Sequence, residues 1–331
     1  MAHTIDRRLI MAVVLVPVIA ALALWAFAWP AARTAPRDLP LGVAGPTAAA
    51  SQVERQLERQ EGAFEIHRYA DEAAARDAVE DRTVYGAIVV TPQGPQLLTA
   101  SAAGPAVAQL LQQAVQQQAA AEGTQVRTVD VVPAPENDPR GAALNASALP
   151  LALAGIAAGA VVTLLGLRGV RAAGALVASS ALVGVIAAGI AHSWLEVLTG
   201  DWWTEAAVLG LSTLAVSGAV AGLAALIGAP GIGIGAGVVM LIGNPFSGAA
   251  SAPQMLPEPA GVIGQWLPPG AGATLLRSVS YFDGAAATGP ALTLTWWAAL
   301  GLGAVLFGGA LTARRRTGAP AADAREMTAV G

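Results

Sequence analysis

Hydrophobic residues in this chain collect in one stretch near the start and in a block of closely spaced stretches towards the end, with a more polar segment between them. The first stretch, residues 9–29, contains no Asp, Glu or Arg. At 1.5 Å per residue in a helix, it is long enough to cross a bilayer core of about 30 Å. This stretch and five later hydrophobic stretches predict six transmembrane spans. The later stretches are residues 149–167, 172–191, 206–227, 231–243 and 291–311.

The fifth predicted span, 231–243, differs from the others because it is short and rich in glycine. It reaches full membrane thickness only if the helix continues through Asn244 and Pro245, and proline breaks helices because it lacks an N–H. We therefore expect a broken or re-entrant segment. Such a segment is tolerated at membrane depth only where neighbouring helices cover its backbone.

Arginines near the span ends predict the orientation, because positive residues close to spans stay on the cytoplasmic side. Three groups fall on one face of a six-span arrangement. They are Arg7 and Arg8, Arg168 and Arg171, and Arg314, Arg315 and Arg316. We therefore predict a multi-pass plasma-membrane protein with both termini in the cytoplasm and residues 30–147 outside. The alternative is a cleaved signal peptide, since Ala26-Phe27-Ala28 matches the small-x-small pattern.

The segment 30–147 alternates strand and helix patterns, which is typical of a mixed α/β domain. The clearest strand, 84–91, has the β-branched and aromatic residues of a buried strand. Asp71 is placed to cap a helix. The predicted strands are 39–44, 64–69, 84–91, 96–101 and 125–132, and the predicted helices are 47–60, 71–82 and 106–121.

The predicted fold class is therefore a polytopic α-helical membrane protein with six transmembrane helices and an extracytoplasmic α/β domain between the first and second. Residues 1–29 hold the cytoplasmic N-terminus and the first helix, and 30–147 form the outer domain. A five-helix region covers 148–312 with a re-entrant outer segment at 244–288. Residues 313–331 are a cytoplasmic tail.

Composition excludes several kinds of chemistry. All 18 basic residues are Arg, so the chain lacks the lysine that a phosphate-binding P-loop needs. It has no Cys, which excludes disulfides and thiolate nucleophiles. His3, His67 and His192 have no partner at metal-ligand spacing. We expect no catalytic, cofactor or metal site and no nucleic-acid partner, and a membrane enzyme is the least favoured class.

The predicted spans contain no charged residue or histidine in their interiors, whereas ion-driven transporters place such groups there. They do contain glycines four residues apart, a spacing that allows close helix contact. The pairs are Gly155/Gly159, Gly218/Gly222, Gly231/Gly235 and Gly233/Gly237. A transported substrate is therefore expected to be apolar or amphipathic, with its energy supplied by a partner.

The region before the last predicted span resembles a known family. It contains Asn244-Pro245-Phe246-Ser247, Met255-Leu256-Pro257, Gln265-Trp266-Leu267-Pro268-Pro269 and Leu275-Leu276-Arg277, and ends in Tyr281-Phe282. These residues resemble the outer loop of type 2 ABC exporter permeases, and are similar in particular to those of the YhgE/Pip group. The run Tyr85-Gly86-Ala87-Ile88-Val89-Val90 and the order of spans and outer domain also resemble that family.

The resemblance implies a permease subunit that forms a homodimer or heterodimer among membrane lipids. It also implies a separate ATPase, which binds the ATP, and export of a lipid-like or amphipathic compound. Candidate residues for coupling to the ATPase are Arg7, Arg8, Arg168 and Arg171, although the segments that carry them are shorter than is usual in the family. The alternative is a non-transporting envelope protein whose outer domain binds a ligand or partner, as in phage-infection-type proteins.

The outer segment is also where we expect a gate or an interface. The candidate residues are Asn244, Pro245, Phe246, Pro257, Trp266, Pro268, Pro269, Arg277 and Tyr281. We expect the Arg277 guanidinium to reach lipid headgroups or to pair with Asp283 or Glu258. In the sharper hypothesis, Trp266, Arg277 and Tyr281 line the outer end of a pathway.

Overall fold

Five helices are long and apolar enough to cross a membrane, in a computed structural model that describes residues 7–317. They are α1 (Arg7–Ala32), α5 (Ala142–Leu164), α6 (Gly169–Ala188, continued by the π-helical turns Gly189–Trp194), α7 (Trp202–Ile227) and α11 (Thr288–Thr317). This confirms a polytopic helical protein and accounts for five of the six predicted spans.

The remaining predicted span is a shorter apolar helix. It consists of α8 (Pro230–Gly237, eight residues) and a π-helical continuation (Val238–Gly243, six residues). At 1.5 Å per residue this is roughly 21 Å, less than the bilayer core of about 30 Å. The helix ends at Gly243, directly before Asn244 and Pro245, where the sequence predicted a break.

Helix α7 lies at the centre of the long helices, and α5, α6, α8 and α11 pack around it. Its neighbours approach closely because glycines face it. A Cβ atom on Gly155 of α5 would lie 2.7 Å from the Cβ of Val216, and one on Gly184 of α6 would lie 2.3 Å from the carbonyl oxygen of Ala206. These glycines are therefore contact points between helices, as small residues in membrane helices commonly are.

The segment between α1 and α5 contains a five-stranded sheet in the order β2-β1-β3-β4-β5. Strands β3 and β4 form an antiparallel hairpin, and the other neighbours are parallel. The strands are β1 (Leu39–Ala44), β2 (Phe64–Tyr69), β3 (Gly86–Thr91), β4 (Gly94–Thr99) and β5 (Arg127–Asp130). The helices are α2 (Thr47–Glu58), α3 (Glu72–Glu80) and α4 (Pro105–Glu122). The predicted mixture of strands and helices is present, and the ends of the elements lie within two residues of the predicted ones.

Helices cover both faces of this sheet. Ala75 and Val79 of α3 pack with Val89 on one face, and Val107 and Leu111 of α4 pack with β1 on the other. Asp71 caps α3 as predicted, because its carboxylate accepts the Ala74 N–H at 2.9 Å. The long helices and this α/β domain meet at the segment between α8 and α11.

Candidate functional site

The outer segment, residues 244–287, connects α8 to α11 through short helices. It contains a 3₁₀ turn (Pro253–Met255), α9 (Ala260–Gln265) and α10 (Pro268–Tyr281). Pro268 and Pro269 open α10, a position where proline is tolerated because the first N–H groups of a helix have no partner within it. The prolines thus break the segment into pieces, as the sequence predicted.

Apolar residues of the outer segment are covered by protein on two sides. Phe246 is buried, and its ring lies edge-on to Trp25 and Trp29 of α1 at centroid distances of 6.5 and 6.0 Å. Met255 is buried in the core of the α/β domain, next to Leu39 and Leu41. The outer segment therefore joins α1 to the α/β domain.

Arg277 is placed differently from what the sequence led us to expect. It is only 5% exposed, and its Nη2 donates to the main-chain oxygen of Ala249 within the same segment. Among residues 7–317, the ion pairs do not include Arg277, so neither Asp283 nor Glu258 is its partner. The guanidinium is a buried internal contact of the outer segment.

Trp266 and Tyr281 also lie in different surroundings. The Trp266 side chain is 73% exposed, whereas the Tyr281 hydroxyl donates to the carbonyl oxygen of Val197 at 2.6 Å. In the single chain, Trp266 and Arg277 are therefore not on one surface. Of the other candidates, Pro257 is buried, Asn244 and Pro245 are partly buried, and Pro268 and Pro269 line a cavity that is described below.

A second arginine, Arg82, joins the α/β domain to α10. Its Nη1 donates to the carbonyl oxygen of Thr274 at 3.1 Å and to Ser278 Oγ at 2.5 Å. Its guanidinium carbon lies 5.2 Å from the centre of the Phe282 ring, within range of a cation–π interaction. Burial lowers the pKa of Arg82, which still stays protonated at neutral pH. The role of Arg82 as a link between the two parts could not be read from the sequence, because its partners are about two hundred residues away along the chain.

Tyr85 reinforces the same contact. Its hydroxyl donates to Gln254 Oε1 at 2.9 Å, and burial raises the pKa of the phenol. Arg82 and Tyr85 thus fix one edge of the α/β domain on the outer segment through charge-assisted and neutral hydrogen bonds. The contact is a structural joint between the α/β domain and the outer segment.

An ionisable pair with a buried carboxylate and a partly exposed histidine lies at the end of α6 and α7 nearest the α/β domain. Glu205 is fully buried, its Oε2 lies 2.7 Å from His192 Nδ1, and its Oε1 accepts the N–H of Gly200 at 2.9 Å. Burial of a carboxylate is costly unless it is paired and hydrogen-bonded. The sequence placed Glu205 in a loop, but the structure includes it in the first turn of α7. His192 and Glu205 both lie at the ends of their helices, so the prediction that the span interiors contain no ionisable residue is not contradicted by the described residues.

A cavity of about 580 Å³ lies between α5, α6, α7 and α10. Its volume is within the range of about 300–1,000 Å³ that is typical of small-molecule sites. The wall is almost entirely aliphatic, with Pro268 and Pro269 contributed by the outer segment. Among residues 7–317, no group of three or more His, Asp or Glu side chains could hold a metal ion. The aliphatic wall favours contact with an apolar molecule.

The candidate coupling arginines lie at the far end of the long helices. Arg168 and Arg171 are exposed around the loop from α5 to α6, and this loop packs against Gly309 near the end of α11. Arg7 and Arg8 begin α1; their side chains lie outside the described residues, as do those of Arg315 and Arg316. Since α1 meets the outer segment at its other end, these arginines share the end of the helices opposite the α/β domain.

One known family matches the part of the chain that runs from α1 through the α/β domain to α5. Residues 7–166 match the family model of the ABC-2 family transporter proteins. This is just under half of the 331 residues. The match supports the resemblance to ABC-2 permeases, and with it a membrane subunit of an ABC transporter, a kind of protein that usually works with a separate ATPase. No curated protein and no solved structure matches the chain.

The match includes some predicted residues and leaves out others. Arg7 and Arg8 lie inside it, whereas Arg168, Arg171 and the whole outer segment lie beyond its end. The candidate gate therefore depends on the local resemblance and on the contacts of the outer segment. The α/β domain, by contrast, is covered in full.

Proposed function

We propose that this chain is the permease subunit of an ABC-type exporter that pairs with a separate ATPase and exports a lipid-like or amphipathic compound. The observation that carries the proposal is the match of residues 7–166 to the ABC-2 family model. The long apolar helices support it. The sequence contains no Lys for a P-loop, so ATP is bound and hydrolysed by the partner.

The ATPase is proposed to bind at the end of the helices opposite the α/β domain, which we assign to the cytoplasm. Positive residues close to span ends are retained there. Arg168 and Arg171 are exposed at this end. The α/β domain is then outside the cell, and the outer segment lies at the outer membrane surface. Within the ABC-2 proteins we infer a YhgE/Pip-like member, on the resemblance of the outer segment.

The cargo is proposed to be apolar or amphipathic because the helices present few polar groups that could bind a polar cargo. The cavity between α5, α6, α7 and α10 is lined almost entirely by aliphatic side chains. The buried carboxylate of Glu205 is satisfied internally by His192 and the Gly200 N–H. A dimer of this chain, or a heterodimer with a related chain, would complete the transport pathway, with the outer segment near its exit.

Co-purification tests the pairing. The tagged chain is extracted gently from its host membrane, and any bound ATPase is identified by mass spectrometry and by ATP hydrolysis. The double variant Arg168→Glu/Arg171→Glu should retain several-fold less ATPase than the unaltered chain. The control is Arg55→Glu/Arg59→Glu, an equally charged change on the exposed face of α2. If no ATPase is recovered with the unaltered chain, the proposal fails in favour of a non-transporting envelope protein.

A further inference from the structure

The cavity between α5, α6, α7 and α10 has a wall that requires no polar ligand. Three hydroxyl side chains line it, Ser147, Ser212 and Thr213. Each donates to the carbonyl oxygen four residues earlier in its own helix, at 2.7, 2.8 and 2.8 Å respectively. Because these hydroxyls donate within their own helices, the cavity presents a mostly apolar surface, and apolar cavities bind apolar molecules.

The depth of the cavity corresponds to one leaflet of a bilayer. On α5 the lining residues extend from Ala143 to Ala154, close to the end of the helix that faces the α/β domain. At 1.5 Å per residue the cavity therefore follows α5 for roughly 16 Å. Half of a hydrocarbon core of about 30 Å is about 15 Å. An extended acyl chain of that leaflet would thus fit along the cavity.

The cavity also opens sideways between α5 and α6. Ile186 and Ile190 line it and are 53% and 44% exposed, and on α5 the lining residues Ala146 and Pro150 are exposed as well. These residues lie within the spans, so the space outside them adjoins lipid wherever no second chain covers it. A chain from the adjoining leaflet can enter without crossing a polar barrier.

We propose that this cavity binds one acyl chain of a phospholipid from the leaflet on the side of the α/β domain. The observations that support this occupant are the apolar wall, a depth of one leaflet and the opening between α5 and α6. Binding requires only this chain and a bilayer. That the bound lipid, or a compound with a similar chain, is the exported cargo rests additionally on the proposed function.

A photoreactive phospholipid tests the site. The full chain is reconstituted in vesicles of phosphatidylethanolamine and phosphatidylglycerol that contain a trace of phospholipid with a diazirine midway along one acyl chain. After irradiation, labelled peptides are mapped by mass spectrometry. We expect labelling to be concentrated on the cavity walls of α5, α6 and α10. Labelling in proportion to exposure, with α1 and α11 as strongly labelled as these walls, would overturn the proposal.

Filling the cavity provides the second arm of the test. Ala187→Trp and Ala273→Trp place an indole in the cavity from α6 and from α10, respectively. Each should reduce labelling of the cavity peptides several-fold. The control is Ala178→Trp, an exposed position nine residues before Ala187 and thus on the opposite face of α6. Gel filtration and thermal unfolding show whether each filling variant is folded. Because the two variants are on different helices, the test can still be made if one of them does not fold.

Other occupants would give different results. If a second copy of this chain fills the cavity, a photoreactive cross-linking residue at position 187 should yield cross-linked dimers in the membrane while lipid labelling there is weak, and the proposal is wrong. Unchanged labelling in both filling variants would also overturn it. No ATPase takes part in the labelling experiment. A negative labelling result therefore does not argue against pairing with an ATPase, and a failed co-purification does not argue against the lipid site.

Discussion

Gly301 of α11 offers a sharp test of how the long helices are held together. A Cβ atom at this position would lie 2.3 Å from the carbonyl carbon of Gly218 in α7. Non-bonded carbons are at their optimum at about 3.5–4.0 Å, so Gly301→Ala requires α7 and α11 to separate locally by more than 1 Å. Inserting a methyl group into a well-packed contact costs about 1–3 kcal/mol.

The matched control is Gly303→Ala, two residues further along the same helix. A Cβ atom there would meet nothing within 4 Å, and the residue is exposed. Both substitutions gain the same helix propensity, about 1 kcal/mol for alanine over glycine. The gain cancels in the comparison, so we expect Gly301→Ala to be less stable than Gly303→Ala by about 1–3 kcal/mol.

The assay is equilibrium unfolding of the purified chain in mild detergent, with increasing sodium dodecyl sulfate and circular dichroism as the signal. Gly303→Ala should be as stable as the unaltered chain or slightly more so, while Gly301→Ala should unfold at a lower fraction of the denaturing detergent. Equal midpoints for the two variants would refute the conclusion that α7 and α11 are in backbone contact at this glycine.

Three further predictions concern the joint, the pair of Glu205 and His192, and the orientation. Arg82→Met should lower the free energy of unfolding by about 1.5–3 kcal/mol through loss of charged hydrogen bonds and expose the outer segment to protease, whereas Arg76→Met on the surface of α3 should do neither. Glu205→Gln should cost about 1–3 kcal/mol in the same unfolding assay, and an unchanged midpoint would contradict a stabilising pair with His192. A reporter fused after Gln118 should be located outside the cell, and one fused after Arg171 should be in the cytoplasm. A cytoplasmic signal at Gln118 would contradict the proposed orientation.

Local patterns predicted the α/β domain well. Strands β1 and β2 begin and end at the predicted residues, 39–44 and 64–69. Their ends are marked by polar and glycine residues, and β1 is buried throughout most of its length, so the signal is local and strong. Strands β4 and β5 are displaced or shortened by about two residues at their ends, where pairing with a neighbouring strand decides the boundary.

Contacts between distant segments could not be predicted from one sequence. Arg82 and Arg277 look like surface arginines, yet Arg277 is buried and Arg82 is partly buried, because residues distant in sequence contact each of them. Glu205 stands beside the polar residues of a loop, and only the fold shows that His192 lies against it. The glycine spacing was likewise ambiguous: Gly231 and Gly235 face α7, whereas nothing lies within 4 Å of the Cβ positions of Gly233 and Gly237.

The attachment of α1 has a consequence for how the protein adapts to membranes of different thickness. Helices α1 and α7 each have 26 residues, about 39 Å, which exceeds a hydrocarbon core of about 30 Å. A helix that is too long for its bilayer tilts, and its tilt is set by its packing against neighbours. Helix α7 is enclosed and keeps a fixed tilt. Helix α1 is mostly exposed and is secured near its end by Trp25 and Trp29 against Phe246, so its inclination should follow the thickness of the lipid that surrounds it.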